Sequence, residues 1–160
     1  SKRLYSRYMM DFSADFTFYH FILPNMFSED DLKPGTRLVP YTLQYLQDYN
    51  AGKNVQVPSF SAGLQTRQFI TLEEMIQTVD KAVCKYIVSD VYNMGGGEFL
   101  SIRHLIERLF AIYNVPCKDE FFGQEIRRDG DIKSLRIDGS KLMNELGALP
   151  NSKIEDIFKI

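Results

Sequence analysis

Between Gln65 and Met75 the chain reads Gln-Thr-Arg-Gln-Phe-Ile-Thr-Leu-Glu-Glu-Met, a short apolar run set directly against a helix start. Thr71 and Glu74 have the spacing of a capping box, in which each side chain satisfies a free backbone N–H at the helix N-terminus. Val79, Ala82, Val83, Tyr86 and Ile87 then keep helical period. This stretch predicts a strand over 67–70 that runs straight into a helix from Thr71. Arg67 stands at the mouth of that strand. Its planar fork of donors fits a phosphate or a carboxylate. Taken alone, it reads more simply as a surface arginine at a turn.

The same punctuation recurs along the chain. Residues 1–14 predict a helix carrying Leu4, Tyr5, Tyr8 and Met9, and Phe16 to Leu23 is dense enough in aromatic and aliphatic residues for a buried strand. Residues 28–35 are acidic and turn-rich, a surface loop. Val39 to Tyr49 returns to helical period, with Gly52 as its stop, and Val55 to Val57 alternates as a short strand before a hairpin-like connection over 58–63. Val91 to Met94 is a strand meeting Gly95-Gly96-Gly97, and Ser101 caps the helix after it. The glycine triplet does not match Gly-x-Gly-x-x-Gly and reads as a turn that lets neighbours pack closely. Lys133 to Ile137 alternates as a strand, and Asp138 caps a short helix stopped by Gly147. Strands alternating with helices point to α/β or α+β.

Composition excludes some functions. With 19 basic and 21 acidic side chains in 160 residues, there is no basic field to attract nucleic acid or an anionic lipid surface. No apolar run is long enough to span a membrane. Cys84 and Cys117 are too few for a disulfide framework and have no metal-ligand spacing, so no metal is expected and a reducing, cytoplasmic compartment fits. Cys84 reads as core, Cys117 as unreactive, His20 as a core or sheet-edge residue, and His104 as solvated. The chain opens at Ser1-Lys2, already inside a helix, as a piece of a longer protein would.

Taken in order, five segments resemble the C-terminal half of the extended short-chain dehydrogenase/reductase family of nucleotide-sugar epimerases, dehydratases and reductases. Ser1-Lys2 is similar to the end of the Tyr-x-x-Ser-Lys motif. Phe21 to Phe27 resembles the strand ending in an Asn-Val-Tyr-Gly type turn. Gln65 to Ile70 resembles the family's Arg-Asp-Phe strand. Val91 through Ser101 resembles its Asn-x-Gly turn and following helix. Arg128-Asp129-Gly130-Asp131, with Asp138 to Lys141 and Leu146-Gly147, resembles its tail. The chain departs from the pattern at Phe21-Ile22, Ser28 and Ser6, and in a longer loop before Arg67.

The resemblance implies roles. Lys2 would be the catalytic-motif lysine, lowering the pKa of a tyrosine and contacting the cofactor ribose, and Leu23 would lie near the nicotinamide of NAD or NADP. Asn25 would contact the substrate, and Leu38 and Val57 would flank the nucleotide base. Arg67 and Arg128 would grip the diphosphate, with Asp131 on the ribose or ordering Arg128. It further implies a Rossmann-like part over residues 1–24 and a small mixed substrate-binding lobe over 25–160, interleaved with Rossmann elements near 67–94. The partner would be a nucleoside-diphosphate sugar, and the full-length enzyme a homodimer paired partly through the first helix. Without the motif tyrosine and the glycine-rich cofactor loop, this stretch alone is expected to be inactive and not to bind NAD(P) tightly. A non-catalytic module binding nucleotide sugars or proteins is the alternative.

Overall fold

The computed structural model describes residues 2–11, 16–35, 37–124 and 132–158, with side chains from Arg7 onward. Helix α1 spans Lys2–Asp11, strands β1 and β2 span Tyr19–Ile22 and Asn25–Phe27, and helix α2 spans Leu38–Asn50. Strand β3, Thr66–Thr71, leads without a break into α3, Leu72–Cys84. Strands β4, Asp90–Asn93, and β5, Glu98–Ser101, precede α4, Ile102–Ile112. The short β6, Ser134–Leu135, and α5, Ser140–Leu146, complete the set.

The capping box forms as its spacing predicts. Thr71 Oγ1 accepts the Glu74 N–H at 3.1 Å, and Glu74 Oε2 accepts the Thr71 N–H at 3.4 Å. The Glu74 carboxylate also accepts the N–H groups of Asn151 and Ser152, so this cap holds the C-terminal segment as well. Ser101 Oγ caps α4 through the His104 N–H, and Gly147 ends α5 with φ +75°. Asp138 Oδ1 accepts the Ser140 N–H at 2.9 Å.

Strand β3 organises the molecule. It pairs in parallel with β2, in parallel with β6 and antiparallel with β5, placing Asn25 opposite Phe69 and Leu100 and Leu135 opposite Arg67. Every residue from Arg67 to Thr71 is buried. Alternation along the strand divides two cores. Phe69 joins one built from α2 and α4, with Leu43, Leu46, Leu105, Leu109 and Phe110. Ile70 joins the other, with Ala82 of α3, Tyr92 of β4, and Leu142 and Leu146 of α5. A separate parallel pair, β1 with β4, packs on the second core through Tyr19 and Phe21.

The glycine turn explains how close these layers come. A Cβ on Gly97, whose φ is +66°, would lie 2.0 Å from the Phe69 carbonyl oxygen. One on Gly95 would lie 2.5 Å from the Gly139 nitrogen. Close packing is thus the triplet's use, but it leads into strand β5 before the helix begins, an element the sequence pattern does not reveal.

Other expectations are corrected. Val55 to Val57 lies outside the strands of the described residues, and 58–63 is no hairpin: Phe60 instead bridges to Phe122. Strand β1 is half-buried with Ile22 exposed, because β4 is its one strand neighbour among the described residues. Asp31, in the acidic loop, is buried, held by the Ser28 N–H at 2.9 Å and by Arg37. Cys84 is exposed at the last turn of α3, and Tyr86 lies beyond that helix with φ +51°.

Candidate functional site

A cavity of about 1330 Å³ opens between β3, the N-terminus of α2 and the extended segment after α2. Arg67 and Phe69 of β3 line it, as do Asn25 of β2, Leu38 at the start of α2, and Val57. Four of the expected substrate-contacting residues, Asn25, Leu38, Val57 and Arg67, therefore converge on one space, although 42 positions separate the first from the last. Register explains part of this. Asn25 faces Phe69 across the β2–β3 pair, two residues along from Arg67.

The other candidates lie elsewhere. Leu23 directly follows the C-terminal end of β1, exposed and off the cavity wall. Lys2 begins α1, with its side chain outside the described residues. Arg128 and Asp131 also lie outside the described residues. Leu4 and Tyr5, expected on a helix-pairing face, share that limit, while Tyr8 on the same helix is 59% exposed.

Arg67 is not a free arginine at a turn. It is 8% exposed, and its guanidinium donates to the carbonyl oxygens of Thr66 at 2.8 Å and Ile132 at 3.0 Å. Two of its donor nitrogens are thus engaged with backbone, which fixes the plane of the fork beside the cavity.

Helix α2 meets the cavity with its N-terminus. Arg37 is its N-cap and makes no side-chain cap hydrogen bond. Arg37, Leu38 and Val39 all line the cavity. The first N–H groups of a helix lack intrahelical acceptors and carry the positive end of its dipole, an arrangement suited to an anion. The first intrahelical bond runs from the Tyr41 N–H to the Arg37 carbonyl at 2.9 Å.

The lining carboxylates do not oppose this. Asp31 is paired with Arg37. Asp48 accepts from Lys53 Nζ at 2.6 Å and Gln44 Nε2 at 2.7 Å, and the Lys53 bond, aided by Gln44, holds its carboxyl below the usual range. Burial pushes the Tyr45 phenol up, keeping it a neutral donor. Arg67, the helix N-terminus and the apolar faces of Phe60, Phe69, Ile102 and Ile106 share the wall with polar side chains, Asn25, Gln44, Asn54 and Gln65 among them.

Arg37 and Gln65 are among the lining residues that escape the sequence reading. Arg37 precedes α2 without a recognisable capping pattern, and only the fold brings it to Asp31. Gln65 continues the alternation of Arg67 and Phe69 by one step before β3 begins, and that parity is the signal that could have marked it. Among the described residues there is no group of three His, Cys, Asp or Glu side chains able to hold a metal, and no helix long and apolar enough to cross a membrane.

Comparison with known proteins gives the fold a context. No family model matches the chain. A dTDP-glucose 4,6-dehydratase from Streptomyces griseus is 22% identical over 120 residues, covering 75% of this chain and 34% of that enzyme. The structure overlays RMD from Pseudomonas aeruginosa, complexed with NADPH, with a TM-score of 0.77 and 16% identity over 99% of this chain and 50% of that one. It overlays UDP-glucose 4-epimerase from Bifidobacterium longum, in complex with NAD+ and UDP, with a TM-score of 0.72 and 21% identity over 95% and 49%. The chain spans about a third of its curated relative and about half of these solved chains. It therefore carries the α/β fold of the extended short-chain dehydrogenase/reductases, over a part of their length.

Proposed function

We propose that this chain is the substrate-binding part of a cytoplasmic, NAD- or NADP-dependent nucleotide-sugar epimerase, dehydratase or reductase, which exchanges hydride at a sugar carbon. The observation that carries the reading is the joint presence, on one cavity wall, of Arg67 and the N-terminus of α2, where Arg37 makes no side-chain cap hydrogen bond. An anchored guanidinium and the N–H groups of Leu38 and Val39 at the start of α2, where Pro40 has none, both favour an oxyanion, and a diphosphate spans more than one such donor set. Arg67 grips the diphosphate, assisted by Arg128, with Asp131 ordering that second arginine or meeting the ribose. Leu38 and Val57 flank the base, and Asn25 holds the sugar. Held in this way, the reacting carbon loses the freedom that would otherwise slow the chemistry.

The residues toward the cofactor fit the same reading. Leu23 presents an exposed apolar side chain just beyond the C-terminal end of β1, which is paired in parallel with β4. Ligands of open α/β sheets bind beyond such strand ends. Lys2 belongs beside it, holding the nicotinamide ribose and lowering the pKa of the partner tyrosine. Residues 1–24 then belong to the cofactor domain and 25–160 to the substrate lobe, in a homodimeric enzyme. When bound, the nicotinamide supplies the hydride acceptor and donor.

The test is calorimetry of UDP, dTDP and CDP on the full natural protein, followed by nicotinamide absorbance during turnover of the matching nucleotide sugars. Binding with turnover supports the enzyme. Binding without turnover under any of these sugars supports the non-catalytic module instead, and absence of all diphosphate binding removes both.

A further inference from the structure

Two glutamines, three positions apart, meet opposite fates at β3. Gln68 is fully used: its Nε2 donates to the Gly96 carbonyl, and its Oε1 accepts the Ile137 N–H at 2.7 Å. Gln65 is just as buried, at 8% exposure, yet no donor among the described residues meets its Oε1. Its backbone is fixed, because its carbonyl accepts the Ile102 N–H at 3.0 Å. A buried amide oxygen left unmet is a standing cost to the fold. Gln65 also lines the cavity, on the same face as Arg67 and Phe69.

We propose that Gln65 reads the nucleoside of the bound nucleotide sugar, accepting a hydrogen bond from a donor on the ribose or the base. This rests on the reading of the cavity as a nucleoside-diphosphate site. The orphan is an acceptor, and a diphosphate at neutral pH presents acceptors only, so its partner lies beyond the phosphates. Direction along β3 selects which side. Asn25 pairs opposite Phe69, on the side assigned to the reacting sugar. Arg67 comes next and Gln65 after it, so the order Phe69, Arg67, Gln65 runs from sugar through diphosphate to nucleoside. Residues two apart on a strand are about 7 Å apart, which sets the distance from the group held by Arg67 to the donor. The oxygen itself is buried. Rotation of the terminal amide, a broad and soft torsion, brings it forward when a donor arrives.

The experiment compares wild type with Gln65→Met, an unbranched replacement of similar size, and with Gln65→Leu. Dissociation constants are measured for pyrophosphate, UDP, 2′-deoxy-UDP and UDP-glucose on the full natural protein, with thermal unfolding of each ligand-free form. Both variants should bind UDP and UDP-glucose about 3- to 10-fold more weakly, the range for one hydrogen bond. Pyrophosphate affinity should be unchanged and the ligand-free melting temperature not lowered, since an unmet polar atom has been removed. If the loss disappears with 2′-deoxy-UDP, the donor is the ribose 2′-hydroxyl. If it persists, the donor is the base N–H or the remaining ribose hydroxyl. A lowered melting temperature with weakened pyrophosphate binding would make Gln65 structural and overturn the proposal. So would weakening confined to UDP-glucose, which would move the contact to the sugar. UDP binding that is equal in wild type and both variants removes the role of Gln65 alone, whereas failure of wild type to bind any diphosphate removes the underlying site.

Discussion

Arg67 Nη2 donates to the carbonyl oxygen of Ile132 at 3.0 Å, tying the central strand to a segment 65 residues further along the chain. The residue proposed to hold a phosphate is therefore also a structural pin. A guanidinium already anchored to backbone loses little further freedom when an anion arrives.

Arg67→Ala is expected to lower both quantities. It removes the guanidinium's hydrogen bonds to the Thr66 and Ile132 carbonyls and takes the charge from the cavity wall. Unfolding free energy should fall by about 1–3 kcal/mol, and diphosphate binding by about 1.5–3 kcal/mol. Arg67→Lys should recover part of each, because an ammonium cannot reproduce the planar fork. Denaturant unfolding and calorimetry on the same preparations check this. An Ala variant as stable as wild type would contradict the pinning role.

Gly97→Ala should be severely destabilising, by more than about 3 kcal/mol, since its Cβ meets the Phe69 carbonyl oxygen at 2.0 Å and its φ is +66°. Gly52→Ala has a similar φ, +68°, but open space around it, and should cost only about 1 kcal/mol. Comparing their melting temperatures separates steric collision from backbone strain alone.

Lys141 donates to Asp90, and this hydrogen bond is the main reason the Asp90 carboxyl lies below its ordinary pKa. A carboxyl depressed in the folded state contributes stability above its unfolded pKa, and loses that contribution as pH falls through the folded value. Stability should thus decline on acidification through the carboxylate range, and Asp90→Asn should make the decline shallower. Thermal unfolding across pH from about 7 to about 3 measures it. Parallel curves for the two proteins would refute the assignment.

The two thiols should differ in reactivity. Burial pushes the Cys117 thiol up to about 11, whereas Cys84 is exposed. Two units above the ordinary value leave about 100-fold less thiolate at neutral pH. Mass spectrometry after brief iodoacetamide treatment should find Cys84 modified well before Cys117.

What could be read directly from the sequence was local. Thr71 with Glu74, Ser101 and Gly147 each fix a helix end through atoms within a few residues, so their spacing suffices. Arg67 could be picked out because its strand and the following cap form one continuous pattern. Asp31 could not, since its burial depends on Arg37 and on the turn at Ser28. Cys84 looked like core because it follows an apolar run, but α3 turns that last position to solvent. Val55 to Val57 alternates like a strand and finds no strand partner among the described residues, and β5 is seen only when β3 lies beside it. The orphaned oxygen of Gln65 is a property of the finished packing, in which no donor among the described residues meets it.

Because β3 is enclosed on both faces, its amides have no local route to solvent. Hydrogen exchange there requires the two cores to part together, at a free energy near that of global unfolding. A ligand grasped by this strand then stabilises the whole fold, by RT ln(1 + [L]/Kd), and not merely a loop around it. A rise in melting temperature should report occupancy of this cavity, even for a ligand that leaves no spectroscopic trace.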